Sequence, residues 1–263
     1  MASRGRRTGG QHIRVFMEII PVIDLKNGSV VRAHMGQRDQ YRPIRTPLSP
    51  TSRPVDVLRG LLSIHPFATL YVADLDAIER TGDNRDVLAE LTSAAPGLAL
   101  WVDSGIADRA AAKAWFDAGL GHLVIGSESQ SDLSLMRALA QHDHVVLSLD
   151  FRADDFQGPS QLALDADCWP QRVIAMTLAR VGSGSGPDLK RLAETAKAAA
   201  GRAVYAAGGV RHAADFAALD RLGIAGALVA SCLHDGSVSG ADIAAVSGRT
   251  PDPVIAARNS PAG

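Results

Sequence analysis

Two segments of the chain carry small residues at matched positions. The segment LWVDSGIADRAAAKAWFDAGLGHLVIGS (residues 100–127) aligns without a gap with VYAAGGVRHAADFAALDRLGIAGALVAS (residues 204–231), each position lying 104 residues before its counterpart. Gly105 then matches Gly209. Self-similarity over this length is typical of a duplicated structural unit, and it indicates a fold built from two related halves.

The chemistry that these small residues support is phosphate binding. Glycine lets backbone N–H groups approach an anion closely, and an amide-lined loop at the start of a helix binds phosphate well. For any single glycine a tight turn is the better interpretation, but the paired arrangement favours phosphate. We therefore predict two phosphate sites on opposite sides of one mouth: Gly105, Gly126 and Ser127 form one, and Gly208, Gly209, Ala230 and Ser231 form the other.

Eight short apolar or β-branched runs must position these turns. Each is bounded by glycine or polar residues, as expected of strands buried on both faces. The segments between them carry apolar residues at helical spacing. Eight strands alternating with helices predict a (β/α)8 barrel, with an open doubly wound sheet as the alternative. The predicted strands cover residues 18–23, 69–73, 99–103, 122–125, 145–149, 173–176, 203–206 and 227–229.

The connection after the fifth strand departs from this pattern. Residues 151–172 contain Pro159 and Pro170 and show little helical periodicity. Proline stops a helix at the preceding residue, so only a short helix fits between the two. We predict that the helix after strand five is reduced or missing.

Length and charge limit the classes of function. The chain has 263 residues, 46% of them hydrophobic, which suits one (β/α)8 domain over residues 17–247. We expect a disordered tail or an early-assigned start codon over residues 1–16, and a second disordered tail over residues 248–263. A formal charge of −1 provides no field for nucleic acid or a membrane surface, so neither is an expected partner.

Cysteines and histidines show no spacing typical of a metal site. Cys168 and Cys232 fit ordinary buried thiols in a reducing cytosol, so a cytoplasmic location is expected. We expect no metal and no cofactor. The expected partner is a small phosphorylated substrate, while a homo-oligomer or an enzyme partner stays open.

Five further segments identify a family by resemblance. The runs EIIPVIDLKNGSVVRAHMG, LYVADLDAI, VVLSLDFR, YAAGGV and ALVASCLHDG are similar to those of the HisA/HisF family, and the likeness extends over residues 17–246. The resemblance implies a (β/α)8 barrel and one of two activities. HisA performs an Amadori rearrangement of a ligand with two phosphates, and HisF is the cyclase partner of a glutaminase.

The resemblance also assigns two acid–base residues. Asp24 in PVIDL and Asp150 in LSLDF match the aspartates that end strands one and five of the family, with Asp24 as the base and Asp150 as the acid. The chemistry agrees, because opening a ribose ring needs a proton on the ring oxygen and forming the ketose needs a proton removed from C2. The alternative is that each aspartate only caps the following turn.

The sixth strand departs from the isomerase. In MTLARVGS, Met176 takes the place of a functional threonine and Val181 that of an aspartate. Thr177 lies one residue away and is retained as a catalytic candidate, while Ser183 replaces the last threonine and is a candidate substrate contact. After strand three, Asp103 and Ser104 stand before Gly105 where the family has paired glycines. These changes argue against the histidine-pathway reaction.

Two other regions supply candidate contacts. Asp74 ends strand two, and we expect it to face the mouth while Asp76 faces the helices or a turn; a change of strand register would reverse this assignment. The loop over residues 34–53 contains Arg38, whose guanidinium suits an anionic ligand. Long loops at this end of a barrel often cover the substrate.

Three hypotheses follow. The segments ADLDAIERTGDN and ARVGSGSG are similar to a HisA/HisF-related branch in methanogens and methylotrophs. This favours an isomerase-type enzyme with another ribosyl-phosphate substrate, in the synthesis of a methanopterin-type one-carbon cofactor. An authentic histidine-pathway ribotide isomerase ranks second. A non-catalytic barrel that binds a phosphosugar or a partner enzyme ranks third.

Overall fold

Eight parallel strands pair side by side in chain order in the computed structural model, which describes residues 16–248. The eighth strand pairs with the first, with Glu18 opposite Gly226, so the sheet closes into a barrel. This confirms the predicted (β/α)8 fold. The predicted tails lie outside the described residues, apart from Phe16 and Gly248. The strands are β1 Glu18–Lys26, β2 Thr69–Asp74, β3 Ala99–Asp103, β4 His122–Gly126, β5 Val145–Arg152, β6 Arg172–Thr177, β7 Ala203–Ala207 and β8 Gly226–Val229.

A helix follows each strand and covers the outside of the barrel. The fifth has only five residues, begins directly after Pro159 and continues into a 3-10 turn, Ala166–Cys168. This confirms the predicted reduction. No helix within residues 16–248 is long and apolar enough to cross a membrane. The helices are α1 Pro54–Ile64, α2 Arg85–Ala94, α3 Arg109–Ala118, α4 Ser134–Leu139, α5 Ser160–Leu164, α6 Leu189–Ala198, α7 Ala213–Arg221 and α8 Gly240–Ser247, with added single turns at Leu75–Ile78 and Ser231–His234.

The internal repeat is present in the structure. Strand β7 starts 104 residues after β3, helix α7 starts 104 residues after α3, and β8 starts 104 residues after β4. Trp101 and Tyr205 occupy equivalent positions in the two copies, and their rings meet edge to face 4.9 Å apart inside the barrel. The two copies therefore lie across the barrel from each other, as the repeat predicts.

Alternation along each strand decides which side chains reach the barrel interior. One core cluster lies inside the barrel and includes Ile20, Tyr71 and Trp101. A larger cluster lies between the strands and the helices and includes Ile19, Leu70 and Val102. The last inward position of each strand therefore points into the mouth at the carboxyl ends of the strands.

The predicted covering loop lies over that mouth. We call residues 34–53 the mouth loop. It follows the strand Ser29–Arg32, which pairs antiparallel with the end of β1. The Met35 N–H donates to the Val181 carbonyl at 2.8 Å, and Thr46 Oγ1 lies 3.1 Å from His234 Nδ1. The mouth loop is thus attached both after β6 and after β8.

Candidate active site

The carboxyl ends of the strands surround a cavity of about 320 Å³ beneath the mouth loop. Tyr71 lies in its wall, and Tyr41 and Arg38 approach it from the mouth loop. Ligands of (β/α)8 enzymes bind at this end of the barrel, because the loops that follow the strands converge there. Its two sides, next to β7–β8 and next to β3–β5, have opposite chemistry.

Asp24 faces the cavity from β1, two residues after the inward-facing Val22. No described residue hydrogen-bonds to its carboxylate. Removal from bulk water raises the pKa of Asp24 to about 7, against a smaller opposing effect of Arg38. Such a group can both hold and release a proton near neutral pH.

Asp150 faces the cavity from β5 and is held by three donors. Ser148 Oγ donates to Oδ1 at 2.7 Å, while Ser127 Oγ and the Glu128 N–H both lie 3.2 Å from Oδ2. Burial raises the pKa of Asp150 to about 6, and the Ser148 hydrogen bond opposes that rise. The structure therefore brings Asp24 and Asp150 to one cavity, from strands separated around the barrel.

The predicted phosphate loops after β7 and β8 also line the cavity. Gly208, Gly209, Ala230 and Ser231 are all on its wall. Gly209 has φ +92°, and a Cβ there would lie 2.2 Å from the Gly186 carbonyl oxygen, so only glycine fits. No described residue accepts a hydrogen bond from the N–H of Gly209 or Ser231. These donors are available to an anion. Arg180 and Arg211 line the same side, and each forms an ion pair with an aspartate, Asp188 and Asp215 respectively.

The equivalent loops after β3 and β4, in the first copy of the repeat, are placed differently. Gly105, Gly126 and Ser127 are not among the residues that line the cavity. The Gly105 N–H donates to Asp103 Oδ1 at 3.0 Å, and Ser127 Oγ donates to the Gln157 carbonyl at 2.7 Å. The structure therefore does not bring the second predicted phosphate loop to the ligand space, because its polar groups already bond within the chain.

Two acids that the sequence did not single out as ligand contacts lie on this side. Asp103 faces the cavity from β3, and burial raises its pKa to about 7, with further repulsion from Asp150. Glu128 follows β4 and forms an ion pair with Arg38 of the mouth loop. Asp103 could have been found from the strand pattern, since it lies two residues after the inward-facing Trp101.

The remaining candidates lie elsewhere. Asp74 points out of the barrel and accepts hydrogen bonds from the Ala77 and Asn84 N–H groups, so it shapes the loop after β2. Thr177 is buried outside the cavity because its neighbour Met176 takes the inward position. Ser183 donates to the Arg180 carbonyl at 2.9 Å and does not line the cavity. Of the candidate substrate contacts, only Arg38 reaches it.

Within residues 16–248, no group of three or more His, Cys, Asp or Glu side chains is arranged to hold a metal ion. Cys168 and Cys232 are buried free thiols, and Cys232 lines the cavity.

Replacing Asp103 by asparagine should stabilise the protein at alkaline pH. When the pKa of a carboxyl is higher in the folded than in the unfolded state, the protein loses stability as the pH rises. For Asp103 this loss runs from the unfolded-state pKa of about 4 through the folded-state pKa of about 7. We expect Asp103→Asn to raise the free energy of unfolding by on the order of 1–3 kcal/mol at pH 8 and to change it little at pH 4. Urea unfolding at both pH values measures this, and equal stability of the two proteins at pH 8 would contradict it.

Comparison with known proteins adds a relationship over nearly the whole barrel. Residues 18–239 match the family described as histidine biosynthesis protein. An uncharacterized protein of Methanocaldococcus jannaschii is 27% identical over 226 residues, covering 84% of this chain and 94% of that protein. A phosphoribosyl imidazole-4-carboxamide isomerase of Streptococcus sanguinis is 26% identical, covering 85% of this chain and 95% of that enzyme. One from a Synechococcus strain is 28% identical, covering 88% and 94%.

Proposed function

Because the chain belongs to the histidine biosynthesis protein family, we propose that it is an isomerase that acts on a ribosyl-phosphate-type ligand by aspartate acid–base catalysis. The observation that carries this proposal is the pair of buried carboxylates, Asp24 and Asp150, on one cavity beside free phosphate-binding amides. The relatives named as isomerases support the reaction class. Fold alone would not, since (β/α)8 barrels support many chemistries.

The reaction is an Amadori rearrangement of a ribosylamine phosphate. A carboxylic acid gives its proton to the ring oxygen as the C1–O bond breaks, and the nitrogen lone pair forms a C1=N iminium. A carboxylate then removes the proton from C2, and that electron pair forms the C1=C2 bond of an enaminol while nitrogen recovers its lone pair. Loss of the O2 proton and protonation at C1 give the aminoketose. The reaction therefore starts with one carboxyl protonated and the other ionised, and the pair returns to one proton when C2 is deprotonated.

The surroundings of the two aspartates favour a particular order. Asp150 accepts hydrogen bonds from Ser148 Oγ and the Glu128 N–H and shares the Ser127 hydroxyl with the Gln157 carbonyl. These contacts stabilise its ionised form, whereas Asp24 accepts no hydrogen bond from the described residues. This supports Asp150 as the first base and Asp24 as the first acid, the reverse of the order that the resemblance implied. The protons move back in the later steps, so both residues are required in either order.

The test is turnover of N-phenyl-5-phosphoribosylamine to its aminoketose, followed by absorbance across pH. With pKa values of about 6 and about 7, the active form with one proton on the pair is most populated between these values. We expect kcat/KM to peak between pH 6 and 7 and to fall about tenfold per pH unit on either side. A flat profile from pH 5 to 9 would contradict this assignment.

A second candidate is the histidine-pathway isomerase itself, which the names of two relatives favour. Met176 and Val181 line the cavity at the positions where the resemblance expects a threonine and an aspartate. Expression of this chain in a strain that lacks the histidine isomerase separates the candidates. Growth without histidine that requires both Asp24 and Asp150 would establish the second candidate.

The pathway that supplies the substrate is the synthesis of a methanopterin-type one-carbon cofactor. This assignment rests on the resemblance of ADLDAIERTGDN and ARVGSGSG to a branch of the family in methanogens and methylotrophs. Deletion of the gene in its host tests it: growth that needs the one-carbon cofactor should fail, while growth without histidine should continue. A requirement for histidine instead would contradict it.

A further inference from the structure

The side of the cavity opposite the phosphate loops is acidic. Asp103, Glu128 and Asp150 line it, and we call these three carboxylates the acidic side. Among the cations that line the cavity, Arg38 is the one that ion-pairs there, and its partner is Glu128. A second phosphate placed on this side would meet three carboxylates and two guanidiniums, those of Arg38, which already pairs with Glu128, and of Arg152 on β5, and like charges at close range repel.

The backbone on this side cannot offset that repulsion. The Gly105 N–H donates to Asp103 Oδ1, and the Glu128 N–H donates to Asp150 Oδ2. In the opposite copy of the repeat, the equivalent Gly209 N–H has no acceptor among the described residues. Space is also taken, since a Cβ on Gly126 would lie 2.8 Å from Asp103 Oδ2. The carboxylate of Asp103 thus covers the strand end that a phosphate would approach.

The geometry of Asp103 also indicates which kind of ligand group this side can bind. Its side chain is 6% exposed and lines the cavity. Oδ1 has one donor, but Oδ2 accepts a hydrogen bond from no residue of the described chain. Because Asp103 lines the cavity, a ligand bound there can donate to this oxygen. A charged N–H donor would supply the strongest bond and neutralise the charge.

We infer that the substrate carries one phosphate, bound after β7 and β8, and an amine nitrogen that donates an N–H to Asp103 on the acidic side and becomes a cationic iminium there when the ring opens. This inference rests on the proposed function and specifies its substrate class: an aminosugar monophosphate whose nitrogen bears no second phosphoribosyl group. The same position suits the reaction, because the iminium formed on ring opening is a cation that nearby carboxylates stabilise.

Three ligands that differ only at C1 test the inference: 1-amino-1-deoxyribitol 5-phosphate, ribitol 5-phosphate and ribitol 1,5-bisphosphate. Calorimetry at pH 7.5 should show the amine binding about tenfold more tightly than the alcohol, and the bisphosphate about tenfold more weakly than the alcohol. Binding of the amine should also release protons, because a cation beside Asp103 lowers the pKa of that carboxyl from about 7.

Asp103→Asn should bring the affinities of the amine and the alcohol within about threefold of each other, while binding of ribitol 5-phosphate persists. Asp39→Asn is the matched control, since Asp39 is an exposed acid of the mouth loop that does not line the cavity. This control should retain the full preference. A retained preference in Asp103→Asn, with circular dichroism that matches the parent, would assign the amine to another group and overturn the inference.

The outcomes also separate this inference from the proposed function. Equal binding of all three ligands, or tightest binding of the bisphosphate, overturns the single-phosphate inference and leaves the isomerase proposal standing. Failure of all three to bind more tightly than ribitol removes the phosphate site itself. The proposed function and the inference that rests on it would then both be wrong.

Discussion

Replacing Asp24 or Asp150 by asparagine should abolish turnover and leave binding of ribitol 5-phosphate within about threefold of the parent. Asparagine keeps the shape of aspartate and a hydrogen-bonding oxygen, but it cannot exchange a proton near neutral pH. The loss should therefore fall on kcat, by about 10²- to 10⁴-fold for each residue. Both carboxylates face the cavity, and the amides that we propose bind the phosphate belong to other residues, which is why the effect is expected on chemistry rather than on affinity.

The two variants need a control for the loss of one negative charge near the mouth. Asp39→Asn supplies it, because Asp39 is exposed and does not line the cavity. This variant should keep the parent kcat. A double variant of Asp24 and Asp150 should lose little more than either single variant, since residues that act as one unit are not additive. A multiplied loss in the double variant would mean that the two aspartates act independently.

The second largest expected effect is the loss of phosphate affinity in Gly209→Ala. The Cβ would lie 2.2 Å from the Gly186 carbonyl oxygen at a residue whose φ is +92°, so the loop after β7 must move. We expect the Kd for ribitol 5-phosphate to rise at least about tenfold, with a loss of stability on the order of 2 kcal/mol.

Gly223→Ala is the matched control for this substitution. Gly223 has φ +71°, but a Cβ there would meet nothing within 4 Å. It shares the backbone strain of about 1 kcal/mol without the steric contact and lies in the turn before β8. Melting temperatures and phosphate affinities of both variants separate the two effects. An affinity loss of equal size in Gly223→Ala would mean that the loop at Gly209 is not the binding site.

The elements that the sequence predicted well are those with a regular pattern. Strands buried on both faces read as short apolar runs, so all eight were found, although β1 and β5 extend further than predicted. The 104-residue repeat reappears in the starting residues of β3, α3, β4 and their counterparts. The start of α5 directly after Pro159 follows from the fixed φ of proline, which is a local property, whereas the helix ends at Leu164, before Pro170 is reached.

The site was predicted less completely, because it depends on hydrogen-bond partners and on which residues of each strand point into the barrel. Asp74 and Thr177 each lie one residue from an inward-facing position, Ala73 and Met176, and a shift of one residue turns a side chain to the opposite face. Periodicity finds a strand but does not fix its last inward residue. The sequence could not show that Asn84 binds Asp74.

The predicted second phosphate site assumed that the two copies of the repeat are chemically equal. They differ at two positions that line the cavity, where Asp103 stands opposite Ala207 and Glu128 opposite Cys232. The carboxylates change the use of the neighbouring N–H groups, which only the folded contacts reveal. Alignment of the copies therefore located both strand ends but not their charge.

Incorporation of solvent deuterium at C2 tests the central claim most directly. The enzyme is incubated in D2O with N-phenyl-5-phosphoribosylamine, and proton NMR follows the C2 signal of the recovered substrate. Removal of the C2 proton by a cavity carboxylate predicts exchange in the parent and in Asp39→Asn, and none above background in Asp24→Asn or Asp150→Asn. Exchange at the parent rate in either of these two variants would contradict the account.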